Sequence, residues 1–442
     1  MPRKKQKEKK PQTINKLICG DNLEELVKLP KESIDLIYID PPFFTDRHYE
    51  VVWEDEAEIR SFKDRWEGGI EHYIGWLKPR VQAMYETLSP TGSFYIHCDW
   101  HASAHIRIML DEVFGKDNFI NEIIWCYKTR HFSKKHFGRK HDTILSYSKS
   151  KNYTFNWQSV LRPLSESTIK KFKYKDEKGY YRLVGRGIKG SPIQSAKDVD
   201  PKWEREHPEL VKRDYLKEGV PIEDYWYIDI INQASRERMG YPTQKPEALL
   251  ERIIKASSNK DDVVADFFCG CGTTIAVAQQ LGRKWVGIDI SPTAIKVMQK
   301  RLKKTLNTVE GTNYEVVGMP TTVEEVKKLE PFDFQNWVII DQMRAHQSRK
   351  KVGDMGIDGY IPKNIFTPEA GIQVKQSDGV GRNVVDNFET AIKRAGYKKG
   401  YIVAFSFSKG AYEEVARIKN NKELEIILVT VQELLEKKKP IM

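Results

Sequence analysis

Short apolar runs alternate with helix-length amphipathic runs at two places in the chain, and this alternation restricts the fold to a sheet with helices packed on it. In the first place, KLICGDN and IDLIYID read as strands enclosing the helix NLEELVKL, and GSFYIHCDW and HDTILSYS supply two further strands. In the second, KPEALLERIIKASS reads as a helix, DVVADFF as a strand, TTIAVAQQL as a helix and RKWVGIDIS as a strand. A strand that returns after a helix pairs in parallel with its predecessor, because the chain has crossed one face of the sheet. The expectation is an α/β fold with a parallel sheet covered on both faces.

Two of these strands end in unusual chemistry. IDLIYIDPPFF, residues 34–44, runs from apolar residues into Asp40 and two prolines. Proline fixes φ and removes a backbone donor, so Pro41 and Pro42 stop the strand and leave Asp40 at the carboxyl edge of the sheet. In open α/β sheets ligands bind at that edge. A proline turn with a capping aspartate and a core phenylalanine is the structural alternative. DFFCGCGTT, residues 266–274, joins a strand to a helix through Gly270 and Gly272. Such a turn lets a ligand approach the backbone, and the helix start offers unpaired N–H groups. Asp289 ends the next strand, where a carboxylate suits the two hydroxyls of a ribose. The loop matches neither GxGxxG nor GxxxxGK[ST], which favours a ligand with a ribose and no pyrophosphate.

At 442 residues the chain exceeds what one core usually organises, so two or three domains are expected. Its net charge of +11 favours an anionic partner, nucleic acid being the commonest. MPRKKQKEKKPQ is basic but lacks the apolar stretch of a secretory signal, and no window holds the roughly 18 consecutive apolar residues of a membrane span. A soluble, intracellular protein with no membrane partner is expected. Five scattered cysteines argue against a disulfide framework, and CGC has no second pair at zinc spacing. From about 150 to 235 lysine, arginine, tyrosine and tryptophan interleave without helical or strand period, as on a surface that meets something. After about 318 comes a charged, linker-like TTVEEVKKLEP, then a helix FDFQNWVIIDQM, GIDGYI, AGIQVKQ and KKGYIVAFSFS.

DPPF at 40–43, the loop DFFCGCGTT and the preceding YPTQKPEALLERII together resemble the DNA amino-methyltransferases that use S-adenosylmethionine. With the catalytic tetrapeptide first and the cofactor loop last, the order is similar to their beta class. The resemblance spans roughly residues 15–310. It implies a circularly permuted Rossmann-like methyltransferase fold over 15–318, after a basic tail at 1–14, with an inserted target-recognition region at about 150–235. It also implies that the late strands DVVADFF and KWVGIDI stand beside the early KLICGDN and IDLIYID. Asp40 and the Pro41 carbonyl would accept hydrogen bonds from the target amine, with Pro42 holding the turn and Phe43 stacking on an extruded base. Asp266, Phe268, Cys269, Gly270 and Gly272 would surround the methionine part of the cofactor, with Thr273 and Thr274 opening the helix. Asp289 would take the ribose, and Asp21 the adenine. Lys245 lies in the preceding segment. Aspartate in the tetrapeptide resembles enzymes of adenine N6 rather than cytosine N4. The implied substrate is double-stranded DNA and the implied compartment a prokaryotic or phage-infected cytoplasm. Whether the chain works as a monomer or a homodimer is left open.

Gln373 and Lys375 are two apart, the strand period, and Asp358 ends a strand or turn. An acid and an amide oxygen can hold Mg²⁺ while a lysine stabilises an attacking water; a surface turn beside a polar edge strand is the alternative. The segment resembles the Mrr-like restriction endonuclease domains of the PD-(D/E)xK class, which read GIDG and then glutamine, apolar, lysine. This implies a restriction-endonuclease-like α/β domain over 325–442, with Asp358, Gln373 and Lys375 catalytic and Asp358 and Gln373 as Mg²⁺ ligands. Met355 stands where glycine is frequent, and Gln373 replaces the acid of the wider class. The combined reading is a fused restriction-modification enzyme. The alternatives are a methyltransferase with an inactive DNA-binding C-terminal domain, and a non-enzymatic nucleic-acid-binding scaffold.

Overall fold

The computed structural model describes residues 15–44, 68–129, 134–189, 192–232, 235, 237–239, 244–348, 356–363, 368–420 and 424–436. The tail at 1–14 and Met355 lie outside them. Residues 155–224 form one compact unit and the rest of the chain another.

In the larger unit the first strands are β1 (Asn15–Cys19), β2 (Ile34–Ile39), β3 (Leu88–Cys98), β4 (Phe119–Cys126) and β5 (His141–Ser148). The smaller unit holds β6 (Tyr174–Asp176), β7 (Gly179–Gly185) and β8 (Val211–Tyr215). The chain then continues with β9 (Tyr225–Tyr227), β10 (Val263–Asp266), β11 (Lys284–Asp289) and β12 (Tyr314–Val317). Nine of these strands make one sheet in the order β12-β1-β11-β10-β2-β3-β5-β4-β9. The late strands β10 and β11 lie between the early β1 and β2, as the resemblance implied, and all four run parallel.

The expectation of a wholly parallel sheet is corrected at its far end, where β5 runs antiparallel to both β3 and β4. The described residues between β4 and β5 hold no helix, and the chain reverses there instead of crossing over. The core forms where Ile37, Ile39, Phe94, Ile96 and Ile288 meet the helices Gly69–Thr87 and Ser103–Phe114.

The segment read as aperiodic is also folded. β6, β7 and β8 form an antiparallel sheet over a small core of Tyr181, Leu183, Ile193 and Val211. Its alternation is hidden in the sequence because Arg182, on the opposite face, is a long side chain paired with Asp198 and Asp214 at 3.2 and 2.8 Å.

The C-terminal part has a second sheet, β13 (His346–Gln347), β14 (Gly359–Ile361), β15 (Ala370–Val374), β16 (Lys399–Ala404) and β17 (Glu425–Thr430), paired in that order. Tyr401 and Val403 of β16 enter a core with Trp337 and Ile339, whereas Ile402 faces Phe388 and Ile418 from the helices Arg382–Ala395 and Lys409–Asn420. TTVEEVKKLEP is no linker. Thr322 and Glu325 form a capping box for the helix Val323–Lys327, whose Val326 is fully buried in this core. FDFQNWVIIDQM gives an α-helix, Pro331–Asn336, that widens into a π-helix, Trp337–Gln342. No helix among the described residues is long and apolar enough to cross a membrane.

Candidate active site

Asp40 follows the last residue of β2, at the carboxyl edge. Its Oδ2 accepts from the Lys245 ammonium, which stands just before the helix Glu247–Ser257 and also 5.2 Å from the Phe43 ring. Its Oδ1 lies 4.0 Å from Nδ1 of His97 on β3. His97 is fully buried, yet both ring nitrogens are engaged: Nδ1 with the Tyr38 hydroxyl at 3.0 Å and Nε2 with Asp142 at 3.2 Å. Burial alone would raise the Asp142 carboxyl, but the hydrogen bond and charge of His97, the charge of Lys245 and the Tyr127 hydroxyl outweigh it and hold that carboxyl below its usual range. The Phe43 ring is tilted against His97, 5.5 Å between centroids. The acid and the aromatic of DPPF are therefore held from behind by residues of three other segments. Neither His97 nor Asp142 was singled out from the sequence; the available signal was a polar residue, in YIHCDW, near the same edge of a buried strand.

The glycine-bearing loop lies one strand away. Gly270 and Gly272 both have left-handed φ, 48° and 73°, and a Cβ on Gly272 would stand 2.2 Å from Met298 Cγ. Asp266 is buried, with Oδ1 accepting from the Phe268 N–H at 3.1 Å and Oδ2 from the Thr274 hydroxyl at 2.6 Å. Burial pushes its carboxyl up to about 7, against those two hydrogen bonds and with help from the charges of Asp40 and Asp289. Asp289 accepts from the Gly270 N–H at 2.7 Å and the Ser291 N–H at 2.9 Å, and burial raises it too. Thr273 is buried against the Arg301 guanidinium at 2.9 Å. Cys269 and Cys271 are buried free thiols, and desolvation raises both. Phe268 lies 5.7 Å from Trp76.

Asp21 caps the helix Asn22–Leu26 through the Leu23 N–H at 2.8 Å and pairs with Arg80 at 2.6 Å. Beside it Asn22 donates to the Phe267 carbonyl at 2.7 Å, while its buried Oδ1 has no partner among the described residues. Asn22, like His97 and Asp142, was not singled out from the sequence.

In the C-terminal sheet Asp358 follows the turn at Gly356 and stands immediately before β14, its N–H donating to the Ile372 carbonyl at 2.8 Å. Its Oδ2 accepts from the Val374 N–H at 2.7 Å, which puts the carboxylate beside the backbone between Gln373 and Lys375. Gln373 is buried with Oε1 unpaired among the described residues, and its Nε2 reaches to 2.9 Å of where a Cβ on Gly356 would be. Lys375 is half-buried just past β15, its N–H bonded to Val403.

A permuted sheet that sets a proline-fixed acid beside a glycine-bearing, acid-braced loop has the architecture of a Rossmann-like methyltransferase. Residues 34–300 match the family model described as DNA methylase, and residues 326–437 match one described as restriction endonuclease. As the first match covers more than half of it, the chain belongs to the DNA methylase family, and it carries an Mrr-like endonuclease domain at its C-terminal end. It is 28% identical over 383 residues to the Type II methyltransferase M.EcaI of Enterobacter cloacae, covering 77% of this chain and 82% of that one. It is 31% identical over 288 residues to the DNA adenine methyltransferase YhdJ of Escherichia coli strain K12, covering 65% and 82%. Among solved structures the PvuII DNA methyltransferase, described as cytosine-N4-specific, is 18% identical with a TM-score of 0.42, covering 68% of this chain and 88% of that one.

Proposed function

We propose that this DNA methyltransferase transfers a methyl group from S-adenosylmethionine to N6 of adenine in double-stranded DNA. The carrying observation is the clamped Asp40. Lys245 occupies Oδ2, which leaves Oδ1 and the Pro41 carbonyl as fixed acceptors for the two amine hydrogens, with Phe43 beside them for the extruded base. An amine conjugated to a ring is a poor nucleophile; two rigid acceptors draw its lone pair out of conjugation and along one line of attack, which a mobile side chain would not hold. Bound cofactor supplies the electrophilic methyl group. The loop residues fit such a ligand: the glycines admit close approach, and Asn22 Oδ1 is an unpaired buried acceptor next to the loop backbone. Asp266, Phe268, Cys269, Gly270, Gly272, Thr273 and Thr274 would line the methionine side. Asp289 keeps lone pairs for a ribose beyond its two amide bonds, and Asp21 for the adenine.

The folded unit at 155–224 serves as the target-recognition region, within a methyltransferase domain of 15–318 followed by a nuclease domain of 325–442. In the latter, Asp358 and the unpaired Gln373 Oε1 are oxygen donors of the kind Mg²⁺ takes, and bound Mg²⁺ would polarise a phosphate and activate water, with Lys375 steadying the attacking oxygen. Both activities together make a restriction-modification enzyme of a prokaryotic or phage-infected cytoplasm. Incubation with unmethylated DNA and labelled cofactor, followed by nucleoside analysis, is expected to put the label in N6-methyladenine. Label only in N4-methylcytosine would overturn the adenine assignment, and a plasmid left intact by the full chain with Mg²⁺ would overturn the nuclease.

A further inference from the structure

Between β4 and β5 the chain reads YKTRHFSKKHFGRK, residues 127–140, with six lysines and arginines and no acid. The described residues of this stretch, 127–129 and 134–140, stand on the catalytic edge. The Tyr127 N–H donates to the Lys140 carbonyl at 3.1 Å, and Lys140 Nζ to the Thr129 carbonyl at 2.9 Å, closing its base. Two residues further on, Asp142 holds the His97 ring that lies behind Asp40 and Phe43. The Arg139 guanidinium lies 3.8 Å from the ring centroid of Trp100, just beyond the end of β3, which ties residues 134–140 to the same edge. A pocket of about 570 Å³ opens beside it, and its lining includes the cations Lys128 and Lys140, His141, the rings of Tyr127 and Tyr227, and one acid, Asp229.

Within 134–140, His136 Nδ1 donates to the Phe137 carbonyl at 2.8 Å, and the Phe137 side chain stands in solvent, 97% exposed. Water-exposed phenylalanine forgoes the burial that usually places this residue. Its immediate neighbours are Lys134, Lys135, His136 and Arg139. That charge fits a polyanion, whose phosphates such residues contact without reading sequence. An apolar side chain carried by such a loop is what proteins push between base steps. An enzyme that takes its target base out of the duplex leaves a gap in the stack and meets the cost of unstacking and unpairing the base, which is least where the base is already unpaired.

We propose that Phe137 is the wedge that enters the duplex when the target base leaves it, with the surrounding cations holding the phosphates on either side. This rests on the reading of the enzyme as one that acts on an extruded base in duplex DNA, and it assigns strand opening to residues 134–140, just before β5.

The test uses the full chain and a duplex bearing the site read by sequencing DNA methylated by the wild type. The target base is placed opposite either its normal partner or an abasic position. Phe137→Ala is expected to lower kcat/KM at least tenfold on the paired duplex and less than threefold on the abasic one, where the base is already unpaired. Phe137→Leu, which keeps an apolar wedge, should remain within about threefold of wild type on both. Lys134→Ala/Lys135→Ala should weaken binding equally on the two duplexes and reduce the slope of log K against log salt. Equal loss by Phe137→Ala on both duplexes, or no loss on the paired one, overturns the wedge. Should the methylated base prove to be cytosine, the adenine reading falls while the same comparison, with cytosine as target, still decides the role of Phe137.

Discussion

Asp266→Asn should make the region around β10 less sensitive to pH and, above neutrality, more stable. The native carboxyl is pushed from an ordinary 3.8 to about 7, chiefly by burial. Between those values the folded protein keeps a proton that the unfolded chain has lost, so stability falls as pH rises from about 4 to about 7 and then levels. Three pKa units at 1.36 kcal/mol each give about 4 kcal/mol in full, of which roughly 2–3 kcal/mol is lost between pH 5 and pH 8.

Asparagine reproduces the protonated form. Its carbonyl can accept from the Phe268 N–H, and its amide can donate to Thr274, whose hydroxyl turns to accept across the present 2.6 Å contact. Amide hydrogen exchange, followed by mass spectrometry on peptides spanning 263–289 and corrected for intrinsic rate, reads the local opening free energy at both pH values. The expected result is a variant close to wild type at pH 5 and better protected by roughly 2 kcal/mol at pH 8. Other titrating groups, such as Asp341, which burial pushes up to about 6, are common to both proteins and drop out of the difference. An unchanged difference between the two pH values, or a variant less protected at pH 8, would refute the reasoning.

Three further outcomes are expected. Lys245→Met strands the Asp40 carboxylate without its ammonium partner and should lower single-turnover methyl transfer by about 10²-fold, equivalent to roughly 3 kcal/mol, with partial recovery in Lys245→Arg. Gly272→Ala forces a Cβ to 2.2 Å from Met298 Cγ at φ 73°, so denaturant titration should show a loss of about 2–4 kcal/mol together with weaker cofactor binding. Lys375→Ala should abolish Mg²⁺-dependent plasmid cleavage with circular dichroism unchanged, whereas cleavage persisting at the wild-type rate would place the activity elsewhere.

The strand ends were the most legible part of this protein. IDPPFF, DFFCGCGTT and GIDI carry their own local physics: proline stops a strand, glycine admits left-handed backbone, and an acid after an apolar run sits at an edge. The neighbouring placement of β10, β11, β1 and β2 did not follow from that local physics; it was what the resemblance to the DNA amino-methyltransferases implied, and the sheet shows it. The reversed strand β5 was not legible, because the apolar pattern of HDTILSYS carries no direction, and β5 runs antiparallel to both of its neighbours. The folded unit at 155–224 escaped for another reason: its few core residues alternate with arginines and tyrosines whose long stems mimic a disordered, charged surface.

By itself the sequence determined which residues could do chemistry, since the type of side chain and the turn that carries it are local properties. Only the tertiary structure decided how that chemistry is tuned. Lys245 and His97 meet at Asp40, and Asp142 holds His97 from behind, because the sheet lays β2, β3 and β5 side by side and brings the segment before Glu247 to the same edge. Electrostatic coupling depends on distance through space, and distance through space is what a chain read in order does not contain.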